Sequence, residues 1–296
     1  MVSKKQFGAF GVWLAEGSWI PGTAVVAERL GYRTLWIGGS PAAGLESVEA
    51  VLNETEHVTV ATGIVNIWQA DPLEIAASYL RILDEHPGRF VVGIGSGHRE
   101  ATPERVRPLT ALSDYLDVLD AEGVPADARL LAALGDKTLA LAATRSLGAH
   151  PYLTTPAHTA HARRILDEAA PVDESPCEES PHSRPGALLA PELKVALDED
   201  PARARERARN YLARYFRLEN YVGALKRFGA TDADFDGGGS DALIDQVCAG
   251  PTAELAALGL RAHLKAGADH VAVQPVGPDP LGDLERVADA LGLTRE

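Results

Sequence analysis

Eight times along this chain of 296 residues an apolar run of strand length gives way to a glycine or polar turn and then to helical spacing. Few folds accept that rhythm, because each strand must be followed by a helix that packs back onto the same sheet. The predicted strands are 7–13, 33–37, 58–65, 90–94, 129–134, 149–154, 188–197 and 269–275. An open doubly wound sheet would carry its dinucleotide fingerprint at the first strand–helix turn. Here the glycines are Gly93, Gly95 and Gly97, evenly spaced and on the fourth strand. The sequence therefore predicts a (β/α)8 TIM barrel, as a single domain over 1–296.

Helix signals agree with this reading. Pro21 suits a first turn, with Ala24, Ala27 and Leu30 on one face and Gly31 as the stop. Asp71 as cap, Pro72 and Glu74 make a strong start, followed by a predicted apolar stripe of Leu73, Ala76, Ala77, Leu80 and Leu83. Ser240 is the expected cap of a helix after the flexible Gly237–Gly239 loop. Further helices are predicted over 103–122, 138–147, 159–168, 251–266 and 281–291. Residues 170–186 stand apart: Pro171, Pro176, Pro181 and Pro185 lie among acidic residues and serines. That composition predicts a mobile loop inserted before the seventh strand. Its Cys177 and His182 are too few for a metal site, so no metal is expected.

The net charge of −14 argues against nucleic acid and anionic membrane as partners, since either needs a basic face. There is no apolar run of about 18 residues and no signal-peptide pattern, and two cysteines make no disulfide framework. A cytoplasmic protein is expected.

In a barrel the chemistry sits at the C-terminal tips of the strands. Those tips offer glycine, backbone amides, aromatic faces and a few hydroxyls, with no HExxH, no G-x-S-x-G and no cluster of metal ligands. Such a lining suits a flat cofactor that brings its own reactivity, leaving orientation and electrostatics to the protein.

Several ordered pieces resemble the luciferase-like monooxygenase superfamily: Phe10-Gly-Val-Trp13, Thr34-Leu-Trp-Ile37, Val60-Ala-Thr-Gly-Ile-Val-Asn66 and Arg89-Phe-Val-Val-Gly-Ile-Gly-Ser-Gly97. Ala132-Ala-Leu-Gly135, Gly148-Ala-His-Pro-Tyr-Leu-Thr154 and Ala266-Gly-Ala-Asp-His-Val-Ala-Val-Gln274 resemble its deazaflavin (coenzyme F420)-dependent branch. The resemblance spans nearly the whole chain except 170–186, and it implies the same barrel.

It also implies roles. The Gly63-Ile64 bond would be a non-prolyl cis peptide backing the cofactor ring, with Asn66 beside it; Gly95, Ser96 and Gly97 would lie along the ring's edge. Gly135, Asp136 and Lys137 fall where the family binds the cofactor's phosphate, and amides at a helix start plus a lysine suit an anion. His98 and His150 are candidates either for proton handling or for structure, His150 also for cofactor contact. Tyr152 and Thr154 either reach the cofactor or substrate or fill a barrel layer. Trp13 and Trp68 would wall the substrate pocket, or belong to the core. Several deazaflavin enzymes carry an acidic residue and a histidine just after the second strand. Gly38-Gly39-Ser40 stands there instead, which leaves Glu16 and His98 as substitutes for that catalytic pair.

The reading that follows is a homodimeric F420-dependent oxidoreductase acting on a small molecule. A reduced-FMN monooxygenase and a non-catalytic flavin-binding barrel are the alternatives.

Overall fold

The computed structural model describes residues 3–98, 107–170 and 186–294. Its strands are β1 (Phe10–Ala15), β2 (Thr34–Gly38), β3 (Thr59–Gly63), β4 (Phe90–Gly95), β5 (Arg129–Leu131), β6 (Gly148–Ala149), β7 in two segments (Leu188–Leu189 and Glu192–Val195), and β8 (Val271–Pro275). All pairings are parallel, and neighbours follow chain order from β1 to β7. β8 pairs with β1, Phe10 opposite Val271, and with β7, Gln274 opposite Lys194. The strands thus curl until β7 holds β6 on one edge and β8 on the other. The Ala190 and Glu192 amides donate to the Ala149 and Pro151 carbonyls, while the Ala272 amide donates to Pro191.

Every predicted strand is present, with trimmed ends. The first is displaced: Lys4–Phe7 forms a helical turn, and β1 starts only at Phe10. Gly8 at φ 62 breaks the chain between them. A helix over Glu46–Glu54, not read from the sequence, follows β2.

Side-chain alternation divides the interior. Val12, Leu35, Val60 and Val92 face the helices, within the large core. Trp13, Trp36, Ala61 and Val91, one position along, fill the lumen with Leu130 and Ala272. That is the period-2 consequence of a sheet buried on both faces.

Asp71 caps the Pro72–Glu85 helix as expected, its Oδ1 accepting from the Leu73 amide at 2.8 Å. The predicted stripe on that helix is corrected. Ile75, Ala76, Tyr79 and Ile82 are buried, whereas Leu73 and Leu80 are 54 % and 42 % exposed. Both sets have helical spacing, and the set that faces the sheet takes the core, at about 1.5–3 kcal/mol per large buried side chain. Ser240 caps Asp241–Val247, accepting from the Leu243 amide at 3.1 Å. The expected insert over 170–186, with Cys177 and His182, lies outside the described residues except for its two end positions. Among the described residues no helix is long and apolar enough to cross a membrane.

Candidate active site

The C-terminal ends of the strands gather most of the residues singled out in the sequence. Trp13, near the end of β1, lies across the tips of β2 and β3. A Cβ at Gly38 would fall on its indole, and one at Gly63 would stand 2.5 Å from its Nε1. A side chain at either glycine would collide with the Trp13 indole, so both strand ends stay bare. The Gly63-Ile64 bond is cis, as the resemblance implied.

Beneath Trp13 lies a stack of rings. His150 is parallel to Trp36 at 4.1 Å between centroids. Its Nδ1 stands 2.7 Å from the Ala190 carbonyl, and burial drives its pKa down to about 4. Lower still, Trp36 Nε1–H donates to His270 Nε2 at 3.0 Å, and His270 Nδ1 meets the Gly8 carbonyl at 2.8 Å.

Beside this stack, Tyr152 is the node of a phenol cluster. Its hydroxyl donates to Gln274 Oε1 at 2.9 Å and lies 3.0 and 3.2 Å from those of Tyr215 and Tyr211. Its ring is 5.4 Å from Trp13, and Lys194 Nζ stands over it at 3.8 Å. Lys194 is fully buried and donates to Glu192 Oε2 at 2.7 Å, with Glu192 equally enclosed. Burial pushes the Glu192 carboxyl up and the Tyr152 phenol well above its ordinary range. Leu153, held at φ 56, carries the chain from Tyr152 to the buried Thr154.

The β3 and β4 loops are pinned together. Trp68 Nε1–H donates to the Ser96 carbonyl at 2.9 Å, and its amide donates to Asn66 Oδ1 at 3.1 Å. Gly97, at φ 54, packs on the Asn66 amide group, where a Cβ would stand 2.8 Å from Nδ2. Gly95 is equally close to Ile64, and His98 rests on Tyr221 at 5.0 Å between rings with its Nδ1 3.3 Å from Asn220 Oδ1.

Gly135 opens the Asp136–Arg145 helix with open space where a side chain would stand. Lys137 is exposed there. The Asp136 carboxylate turns to His161 at 2.8 Å, and that hydrogen bond holds it below the ordinary carboxylate range. Glu16 follows β1, half-buried on the Glu16–Ser18 turn.

Sequence reading missed Glu192, Lys194, Tyr211 and Tyr215. The signal was present: two opposite charges two residues apart inside an apolar strand share one face, and tyrosines at i and i+4 share one side of a helix.

Several buried polar atoms at this end have no partner among the described residues: Trp13 Nε1, His150 Nε2, Thr154 Oγ1 and Glu192 Oε1.

Residues 19–122 match the family model of the luciferase-like monooxygenases. That match covers about a third of the chain. No curated protein matches by sequence. Solved structures extend the likeness, in fold, over nearly the whole chain. An F420-dependent secondary alcohol dehydrogenase, in complex with an F420-acetone adduct, superposes with a TM-score of 0.73 at 14 % identity, over 98 % of this chain and 99 % of that one. The coenzyme F420-dependent tetrahydromethanopterin reductase from Methanopyrus kandleri gives 0.73 at 18 % identity, with the same coverage. The oxygenating constituent of 3,6-diketocamphane monooxygenase from Pseudomonas putida, in complex with FMN, gives 0.67 at 15 % identity, over 98 % of this chain and all of that one. Both kinds of neighbour share the fold.

Proposed function

We propose that the chain is a coenzyme F420-dependent oxidoreductase that transfers a hydride between the deazaflavin C5 and a small organic substrate. The observation that carries this reading is the set of buried, unpartnered polar atoms at the strand tips, because native interiors rarely leave such groups unpaired. A polar ligand would complete them. The open Gly135 turn with Lys137 beside it likewise suits an anionic tail.

When bound, the deazaflavin supplies the hydride chemistry. The chain's part is to hold and shield it. Ile64 and Gly63 would back the ring, Gly95, Ser96 and Gly97 would edge it, and Asn66, His150, Tyr152 and Thr154 would complete the cradle. The amides at 135–137 and the Lys137 ammonium would take the phosphate. Trp13 and Trp68 would bound the substrate, and His98 or Glu16 would handle its proton.

The test is a pair of anaerobic calorimetric titrations, with reduced F420 and with reduced FMN. Micromolar binding of F420 alone is the expected result. Preference for FMN replaces the reading with a reduced-flavin monooxygenase, and tight binding without turnover of any substrate replaces it with a non-catalytic barrel. His98→Ala is expected to bind F420 normally and to lose about a hundredfold in turnover. An unchanged rate returns His98 to a structural role.

A further inference from the structure

His150 presents a lone pair that nothing uses. A carbonyl oxygen only accepts, so the contact with Ala190 O fixes the proton of the neutral ring on Nδ1 and leaves Nε2 as a bare acceptor. Trp13 Nε1–H is a bare donor. Both atoms are unpartnered, in residues 2 % and 5 % exposed. They face one spot beside Gly63, where a Cβ would stand 2.5 Å from Trp13 Nε1 and 3.4 Å from His150 Nε2. Gly63 itself is partly exposed, so the spot adjoins the mouth of the barrel.

A donor and an acceptor converging on one place select a group that can accept and donate at once. A hydroxyl oxygen does both. A carbonyl oxygen can accept from the indole but sets its own lone pair against that of Nε2. We propose that Trp13 Nε1–H and His150 Nε2 clamp one hydroxyl oxygen of the substrate beside Gly63, so that the site takes alcohols in preference to the matching carbonyl compounds. This rests on the strand tips being the substrate site, but on neither cofactor; it assigns His150 Nε2 to the substrate and leaves only the ring of His150 to the cradle proposed above.

The test uses the cofactor-free protein, isotope-labelled at tryptophan and histidine nitrogens and followed by NMR during titration with cyclohexanol and, separately, cyclohexanone. Trp13→Phe assigns the indole resonance. Cyclohexanol is expected to shift both the Trp13 indole N–H and His150 Nε2, and to bind about fivefold more tightly than the ketone, the worth of one modest hydrogen bond. His150→Phe keeps a ring against Trp36, and should retain the indole response while losing the preference. Equal affinities overturn the proposal. So does an indole resonance that ignores the alcohol, as it would if Trp13 closed directly on His150. Should His150→Phe fail to fold, the two titrations of the unaltered protein decide alone. Since no cofactor is present, failure of F420 to bind leaves this result standing, and the reverse.

Discussion

The lumen holds two tryptophan–histidine pairs, and only one of them is closed. In the lower pair, His270 donates from Nδ1 to a backbone carbonyl and receives the Trp36 indole proton on Nε2, so each polar atom is used. In the upper pair, His150 makes the same Nδ1 contact, yet its Nε2 and the Trp13 indole N–H are left over. Residue types and burial are alike. What differs is position, since the closed pair sits deep in the barrel and the open one at its C-terminal mouth. Buried polar groups that pair internally stabilise a core, whereas groups left unpaired at a mouth are costly without a ligand.

Acid is the strongest way to challenge both pairs together. Burial holds His150, His158, His263 and His270 at about 4, against an ordinary value of 6.5. Between those values the unfolded chain binds more protons than the folded one, so stability is fully present above pH 6.5 and drains as the pH falls toward 4. About 3 kcal/mol is expected to be lost per histidine. Denaturant titrations across that range should show it, and replacing either His150 or His270 by phenylalanine should remove about one proton from the slope. A flat profile would mean that the folded rings take up protons in step with the unfolded chain, so that burial does not hold them neutral in this range.

The two indoles separate the pairs. Trp36→Phe shrinks a packed core residue and strands His270 Nε2, at an expected cost of about 2–3 kcal/mol. Trp13→Phe also shrinks a buried ring but breaks no indole hydrogen bond and strands no acceptor, so it should cost about 1 kcal/mol less than Trp36→Phe. Chemical denaturation of both variants measures this, and equal losses would erase the contrast.

The effect at the rim is on affinity and not on stability. Lys137→Glu should weaken cofactor binding about tenfold, about 1.4 kcal/mol, with the melting temperature unchanged. Unaltered affinity would detach Lys137 from the anion site and narrow the functional region to the open pair.

Much of this was legible from sequence, for local reasons. Strand, turn and cap signals are short-range, and Asp71, Pro72 and Ser240 act within three residues of themselves. Even so, the Pro72–Glu85 helix was read in the wrong rotational phase. Leu73 and Leu80 repeat as well as Ile75 and Ile82 do, and only contact with the sheet decides between them. The tips carrying Trp13, Gly63, Ser96 and His150 followed from the barrel rule. The pairing of those residues did not, because Trp36 and His270 are 234 positions apart and meet only when the last strand closes on the first. Which histidine keeps a free nitrogen is likewise a property of the backbone carbonyl beside it, invisible until the chain is folded.

The ion pair of Glu192 and Lys194 constrains how the molecule can change over generations. With both side chains enclosed and in contact, loss of either alone strands the other's charge in the interior, whereas an exchange of both for apolar residues need cost little. Single substitutions at either site are therefore dead ends. The two residues are expected to be inherited, or abandoned, as a unit, and a descendant that has traded one will have traded the other.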